Sequence, residues 1–175
     1  MRIEPENSRA EALVAGYAPP GKRPPLGTYA ATATLFNLGL TGALANAQRT
    51  GRVPERVEPR DLVVIGVASH QLSRLISKEK ITAFVRAPFT ELQEKGGPAE
   101  LEERARGTGM RRTVGELLTC PFCLGLWASA GFHVGLLYAP RMTRVSSSIF
   151  AALTISDFLQ IAYKAAETHG LGDPD

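Results

Sequence analysis

Between Leu117 and Pro140 the chain carries no Asp, Glu, Lys or Arg. A charge-free run of this length meets the roughly 20-residue requirement of a helix that crosses a bilayer. Small residues recur within it at Gly125, Ala128, Ala130, Gly131 and Gly135, as close packing between membrane helices favours. Trp127 and Tyr138 add aromatic bulk, and Tyr138 stands where an interfacial anchor would.

Charges used as punctuation bring out three more windows. Tyr29 to Gln48 sits in an uncharged stretch bounded by Arg23 and Arg49, made only weakly hydrophobic by Asn37 and Asn46. Asp61 to Ile76 is densely apolar as far as His70, and Val145 to Tyr163 is interrupted by Asp157 alone before ending on Tyr163-Lys164. The mean hydropathy of the whole chain is close to zero, an average that hides these windows because the charges are segregated along the chain. At 175 residues there is room for one domain. The expected fold is all-α: a helical membrane protein in which about four hydrophobic helices form a bundle, with a long polar loop between the second and third. The competing expectation is a soluble helical bundle, since the two weaker windows also suit buried core helices.

Residues 1–27 read as a flexible tail with a Pro-rich elbow at Pro19-Pro20-Gly21-Lys22-Arg23-Pro24-Pro25. Glu4, Glu6, Arg9 and Glu11 occupy the place where a secretory signal needs an apolar core. The helical membrane domain is expected over 28–165 and a polar tail over 166–175. With all four windows spanning, the tail, the 78–116 loop and Lys164 gather most of the basic residues on one side. Arg49, Arg52, Arg56, Arg60, Arg141 and Arg144 are left on the other. That bias predicts a multi-pass cell-membrane protein with its N-terminus and its 78–116 loop in the cytoplasm. A net charge of +3, from 20 basic against 17 acidic residues, is too mild for a nucleic-acid surface.

Within the loop, Ile81-Thr-Ala-Phe-Val-Arg-Ala-Pro-Phe89 mixes bulky apolar groups with Arg86, as a segment lying in the headgroup layer would. Ala99 to Arg106, after Gly96-Gly97-Pro98, reads as a short, charge-dense helix whose Glu and Arg side chains form a solvated face.

The two cysteines form one C-x-x-C at Thr119-Cys120-Pro121-Phe122-Cys123. Thr119 or Cys120 suits an N-cap and Pro121 the first helical turn. The thiols then share a helix face, at an end whose free N–H groups favour a thiolate. C-P-F-C is also a glutaredoxin-type active-site sequence, but the preceding Arg111 to Leu118 offers no strand, so a thioredoxin-like fold is rejected. A structural zinc needs four ligands, and one chain supplies two thiols. His133 would lie about 15 Å further along the same helix, His70 would have to approach from another helix, and His169 falls in the polar tail. Cytoplasmic placement disfavours a lasting disulfide.

His70, Ser73 and Arg74 fall on one helix face, and Asp157 is the candidate partner for Arg74 inside the membrane. A structural ion pair is favoured over a proton or transport pathway. Glu116, shortly before Cys120, reads as a solvated loop carboxylate, with capping or polarising the helix start as its other reading. Walker, H-E-x-x-H, G-x-S-x-G and EF-hand patterns are missing from the sequence.

Two blocks carry a family likeness: Ser73-Arg74-Leu75-Ile76 with Lys80 to Glu91, including Arg86 and Pro88, and Gly115-Glu116-Leu117-Leu118-Thr-Cys120-Pro121-Phe122-Cys123-Leu-Gly125-Leu-Trp127. Together they resemble the bacterial domain of unknown function 1360 over roughly residues 62–163. The resemblance implies a membrane protein and supplies no reaction.

The leading functional expectation is therefore a non-enzymatic membrane protein, structural or interaction-based, with Cys120 and Cys123 ordering a loop-to-helix junction. Its partners are the lipid bilayer and a second copy or another membrane protein, and no cofactor is expected. A membrane thiol–disulfide oxidoreductase, with Cys120 as exposed nucleophile and Cys123 as resolving thiol, is the alternative. A zinc-binding module sharing its cysteine pair between two chains comes third.

Overall fold

The computed structural model describes residues 16–19, 24–97 and 99–170. Most of the expected N-terminal tail, 1–15 and 20–23, lies outside them. The first helix, α1, spans Leu26–Arg49. Its end is fixed by sequence: Gly51 takes φ +64°, the left-handed conformation glycine adopts without steric cost. The N–H groups of Gly51 and Arg52 then return to the carbonyls of Gln48 and Ala47, a Schellman closure.

Helix α2, Pro59–Lys78, begins with proline at its first position and carries Asp61 in its first turn and Lys78 in its last, each favourable to the helix dipole. A 3-10 turn over Lys80–Thr82 and a short helix α3, Ala83–Arg86, lead into a hairpin. Strands β1, Thr90–Lys95, and β2, Leu101–Ala105, pair antiparallel with Leu92 opposite Glu103 and an irregularity between Leu92 and Glu94. Helix α4 follows over Gly109–Thr119, then α5 over Pro121–Tyr138 and α6 over Pro140–Gly170. Proline opens both α5 and α6, so Ala139 alone separates the two long helices.

Helices dominate, as expected, but the 78–116 segment is not simply a polar loop, and Ala99 to Arg106 is not a helix. In β2 the residues alternate: Leu101, Glu103 and Ala105 turn inward while Glu102 and Arg104 face out. Period-two burial of a small inner set outweighs the helix propensity of Glu and Arg. At the other end, α6 runs to Gly170, past the boundary expected at 165.

Contacts at the two ends of the bundle show that α1, α2, α5 and α6 alternate in direction. At the hairpin end the start of α1 meets the end of α4 through Tyr29 and Glu116, and the end of α2 meets α6 through Arg74 and Asp157. At the opposite end Tyr138 donates to the carbonyl of Ala43 at 2.8 Å and accepts from Asn46 at 2.9 Å, while Arg144 pairs with Asp61 at 2.8 Å. Tyr138 thus ties α1 to α5, with Arg52 5.0 Å above its ring.

Helix α2 lies between α5 and α6. Ile65, Ala68 and Phe132 form the apolar core, flanked by Leu72, Leu136 and Phe150. Most of the remaining interior of the long helices is small or polar: Ser69, Gln71, Ser73, Ser77, Thr143, Ser147 and Thr154 are buried. Outside, Leu35, Leu38, Val63, Leu126, Ile155, Phe158, Leu159 and Ile161 are all more than half exposed. Helix α5 and the Pro140–Thr168 part of α6 are long and apolar enough to cross a membrane, each by an 18-residue stretch, of mean hydropathy 1.2 and 1.4 respectively. Only 11% of each stretch is buried, whereas the core helix of a soluble protein is mostly buried. Helices α1 and α2 form in the first two windows but fall short of that hydropathy, α1 through its Thr and Asn residues and α2 through Arg60, Asp61, Gln71, Arg74 and Lys78.

Candidate functional site

Cys120 caps α5. Its backbone is extended, φ −105° and ψ 102°, and its Sγ accepts the N–H of Cys123 at 3.2 Å. Both cysteines are free. Their exposure inverts the expected roles: Cys120 is half-buried by its capping position, whereas Cys123 is exposed one turn later. Among the described residues no group of three or more His, Cys, Asp or Glu side chains is placed to hold a metal. Among these residues the thiols stand as a two-ligand pair. His133 turns back to the carbonyl of Ser129, with Nδ1 2.8 Å away, and the side chain of His169 lies outside those described.

Cys123 opens onto a cleft of about 550 Å³ between α1, α4 and α5. Phe36 and Trp127 form one wall, edge to face with centroids 4.9 Å apart, and Leu126 and Ala33 extend it. At the hairpin end the cleft turns polar. Glu116 accepts from the Tyr29 hydroxyl through one oxygen and from Arg112 Nε at 2.8 Å through the other. Thr28 and Thr113 meet beside them at 2.5 Å. Glu116 is thus a half-buried carboxylate in the last turns of α4 that joins α1 to α4, rather than a solvated loop charge. Its hydrogen bond and charge hold the Arg112 guanidinium above its ordinary range.

A second cluster surrounds Arg86. The side chain is 0% exposed, so it does not reach for headgroups as expected of its segment. Nε and Nη2 engage the two carboxylate oxygens of Glu103 at 3.0 and 3.1 Å. Nη1 donates to the carbonyl of Ile76 at 2.6 Å and to Thr82 Oγ1 at 2.8 Å, and both terminal nitrogens lie 3.1 Å from the carbonyl of Glu79. Thr90 Oγ1 completes the knot, 2.7 Å from Glu103. Ile81 and Phe84, on the same segment, point outward. Exposed Pro88 contributes its carbonyl, which accepts from Arg111 at 2.8 and 2.9 Å.

Arg74 and Asp157 are brought together, Nη1 to Oδ2 3.1 Å. Gln71 donates to the same oxygen at 2.9 Å, and Glu100 of the hairpin side takes Arg74 Nη2 at 2.7 Å. The pair therefore belongs to a network at the hairpin end of the bundle, four residues before α2 stops. His70 does not join it and stands exposed. Glu103, Glu100, Gln71 and Tyr29 were not singled out from the sequence. The alternation in β2 is the signal that marks Glu103, while nothing local marks the other three.

The chain matches the family described as Protein of unknown function (DUF1360) over residues 64–163. It is similar to sporulation protein YjcA of Bacillus subtilis (strain 168), 38% identical over 76 residues, which cover 42% of this chain and 64% of that protein. It is also similar to UPF0713 protein YngL of the same organism, 28% identical over 98 residues, covering 50% of this chain and 66% of the relative. The matched stretches thus span just under two thirds of either relative's length. No solved structure matches. The matched region runs from α2 to α6 and takes in the Arg86 knot, the Arg74–Asp157 pair and the cysteine turn, and the chain belongs to the DUF1360 family.

Proposed function

We propose that this is a four-pass membrane protein with a structural or interaction role, no reaction being part of the reading. The observation that carries it is the inverted distribution of polarity, with serine, threonine and glutamine inside the bundle and leucine, valine, isoleucine and phenylalanine outside. A protein surrounded by water rarely leaves so much contiguous apolar surface uncovered. In lipid that surface is solvated, and small polar residues are what close helix contacts use.

The alternating directions of α1, α2, α5 and α6 support a four-pass arrangement, and α5 at 18 residues is about 27 Å long. The hairpin end, with Lys78, Lys80, Arg104, Arg106 and Arg111, would face the cytoplasm. Cysteine accessibility tests this. With Cys120 and Cys123 replaced by Ser, a single cysteine introduced at exposed Thr108 should react with impermeant maleimide only after the cell membrane is opened. One at Arg56 should react in intact cells. The reverse pattern contradicts the orientation.

The free, exposed thiol of Cys123 favours a second reading as a thiol–disulfide exchanger. Cys123 thiolate would attack a partner disulfide, expelling one partner thiolate. Cys120 would then attack the mixed disulfide, leaving the partner reduced and Cys120–Cys123 oxidised. Replacing Cys120 by Ser should trap that mixed disulfide. If only Cys123→Ser traps one, the assignment of roles is reversed.

A further inference from the structure

We propose that the bundle binds one anionic phospholipid in two adjoining cavities at its hairpin end, a reading that rests on the membrane placement above. The apolar cleft beside Cys123 meets a polar neighbour at Glu116. A second, polar pocket of about 530 Å³ lies between the hairpin and α4; Glu116 lines both, and its ion-pair partner Arg112 lines the polar one. Each has the size of a ligand site.

The lining of the polar pocket sets Glu91, Glu103 and Glu116 against Arg104, Arg106 and Arg112, and the pairing decides which charge is left over. Arg104 is matched by Glu91, Arg112 by Glu116, and Glu103 by Arg86 outside the lining. Arg106 instead rests on the neutral carbonyls of Ala87 and Pro88, at 2.9 and 3.4 Å. With Glu103 compensated by buried Arg86 behind the lining, Arg106 is the one guanidinium there not set against a carboxylate, and a phosphate suits it. Basic pockets beside membrane helices at the cytoplasmic face bind anionic headgroups in this way.

Beyond Glu116 the lining changes to Ala33, Phe36, Leu126 and Trp127, one to two turns deeper along α1 and α5. Polar head pocket, hydrogen-bonding collar and aromatic-walled cleft follow one another in the order of phosphate, glycerol ester and acyl chain. A cleft open to lipid at that depth is filled by a hydrocarbon chain rather than by water.

Trp127 is the chain's sole tryptophan and lies in the wall, so its fluorescence reports the occupant. The full-length protein, reconstituted in phosphatidylcholine vesicles, is titrated with phosphatidylglycerol or phosphatidylcholine carrying brominated chains, after flotation has shown incorporation. The expected result is quenching by phosphatidylglycerol at about fivefold lower mole fraction, the effect of one unmatched basic residue. Arg106→Gln should abolish the preference, and Ala33→Leu, which fills the cleft, should weaken quenching by both lipids. Equal quenching by the two lipids with the unaltered protein, or no effect of Ala33→Leu, overturns the site and leaves the membrane reading intact. Failure to float with the vesicles overturns both.

Discussion

A guanidinium carries five N–H groups, and in Arg86 they meet Glu103, Thr82 and the carbonyls of Ile76 and Glu79. The last two carbonyls belong to the end of α2 and the residue after it, where helical carbonyls lack partners of their own. One side chain therefore satisfies a helix end, orders the 3-10 turn and anchors β2. Burying the pair costs desolvation, which the complete hydrogen-bonding offsets. Removing one partner leaves the other charge stranded, so Glu103→Ala should destabilise the protein by about 3–5 kcal/mol, read by denaturant titration in detergent micelles. A loss below about 1 kcal/mol would be that of a solvated pair and would contradict this account of the knot. Arg86→Lys should not rescue, because an ammonium cannot reproduce the two-oxygen contact. At the same scale, Tyr29→Phe removes a hydrogen bond to a charged acceptor and should cost about 1.5–3 kcal/mol, seen as faster amide exchange at the start of α1. Unchanged exchange there would mean that Tyr29 does not hold α1.

Among the elements, the hairpin depends most on its neighbours. Two strands alone are marginal in water, and this pair is held by Arg86, by Lys78 to Glu102 at 3.0 Å, and by α4. Gly115 is the point of closest approach: a Cβ there would come within 2.5 Å of the Phe89 carbonyl and 2.9 Å of Ala105 Cβ. Gly115→Ala must push α4 away from backbone that cannot rotate aside. It should cost about 1–3 kcal/mol and expose the Gly96–Gly97 turn to limited proteolysis. Proteolysis at the rate of the unaltered chain would show that the contact relaxes freely.

The long helices were legible in the sequence because charge segregation and proline starts act locally, and so was the helix start at Cys120. The hairpin was not. Its inner face consists of Leu101, Glu103 and Ala105, a pattern whose middle member looks polar until Arg86 is known to face it. The partnership of Arg74 with Asp157 could be guessed from two stray charges in apolar windows. Glu100 and Gln71 join it only through tertiary placement, and the cleft at Cys123 exists only because α1 leans on α5 through Phe36 and Trp127.

For the whole molecule, lateral packing is thin in apolar terms and rich in small polar contacts. Among the described residues the buried apolar set is small, Ala47, Ile65, Ala68, Leu124 and Phe132, as the proposed membrane placement requires. Ion pairs and hydrogen bonds clamp the bundle at both ends, with exposed apolar side chains between. On the proposed reading, hydrocarbon solvates that outer surface. The most direct measurement is fractionation of expressing cells with an alkaline carbonate wash. The protein should stay with the membrane pellet and leave it only with detergent. Recovery of folded protein in the detergent-free soluble fraction would contradict the central claim.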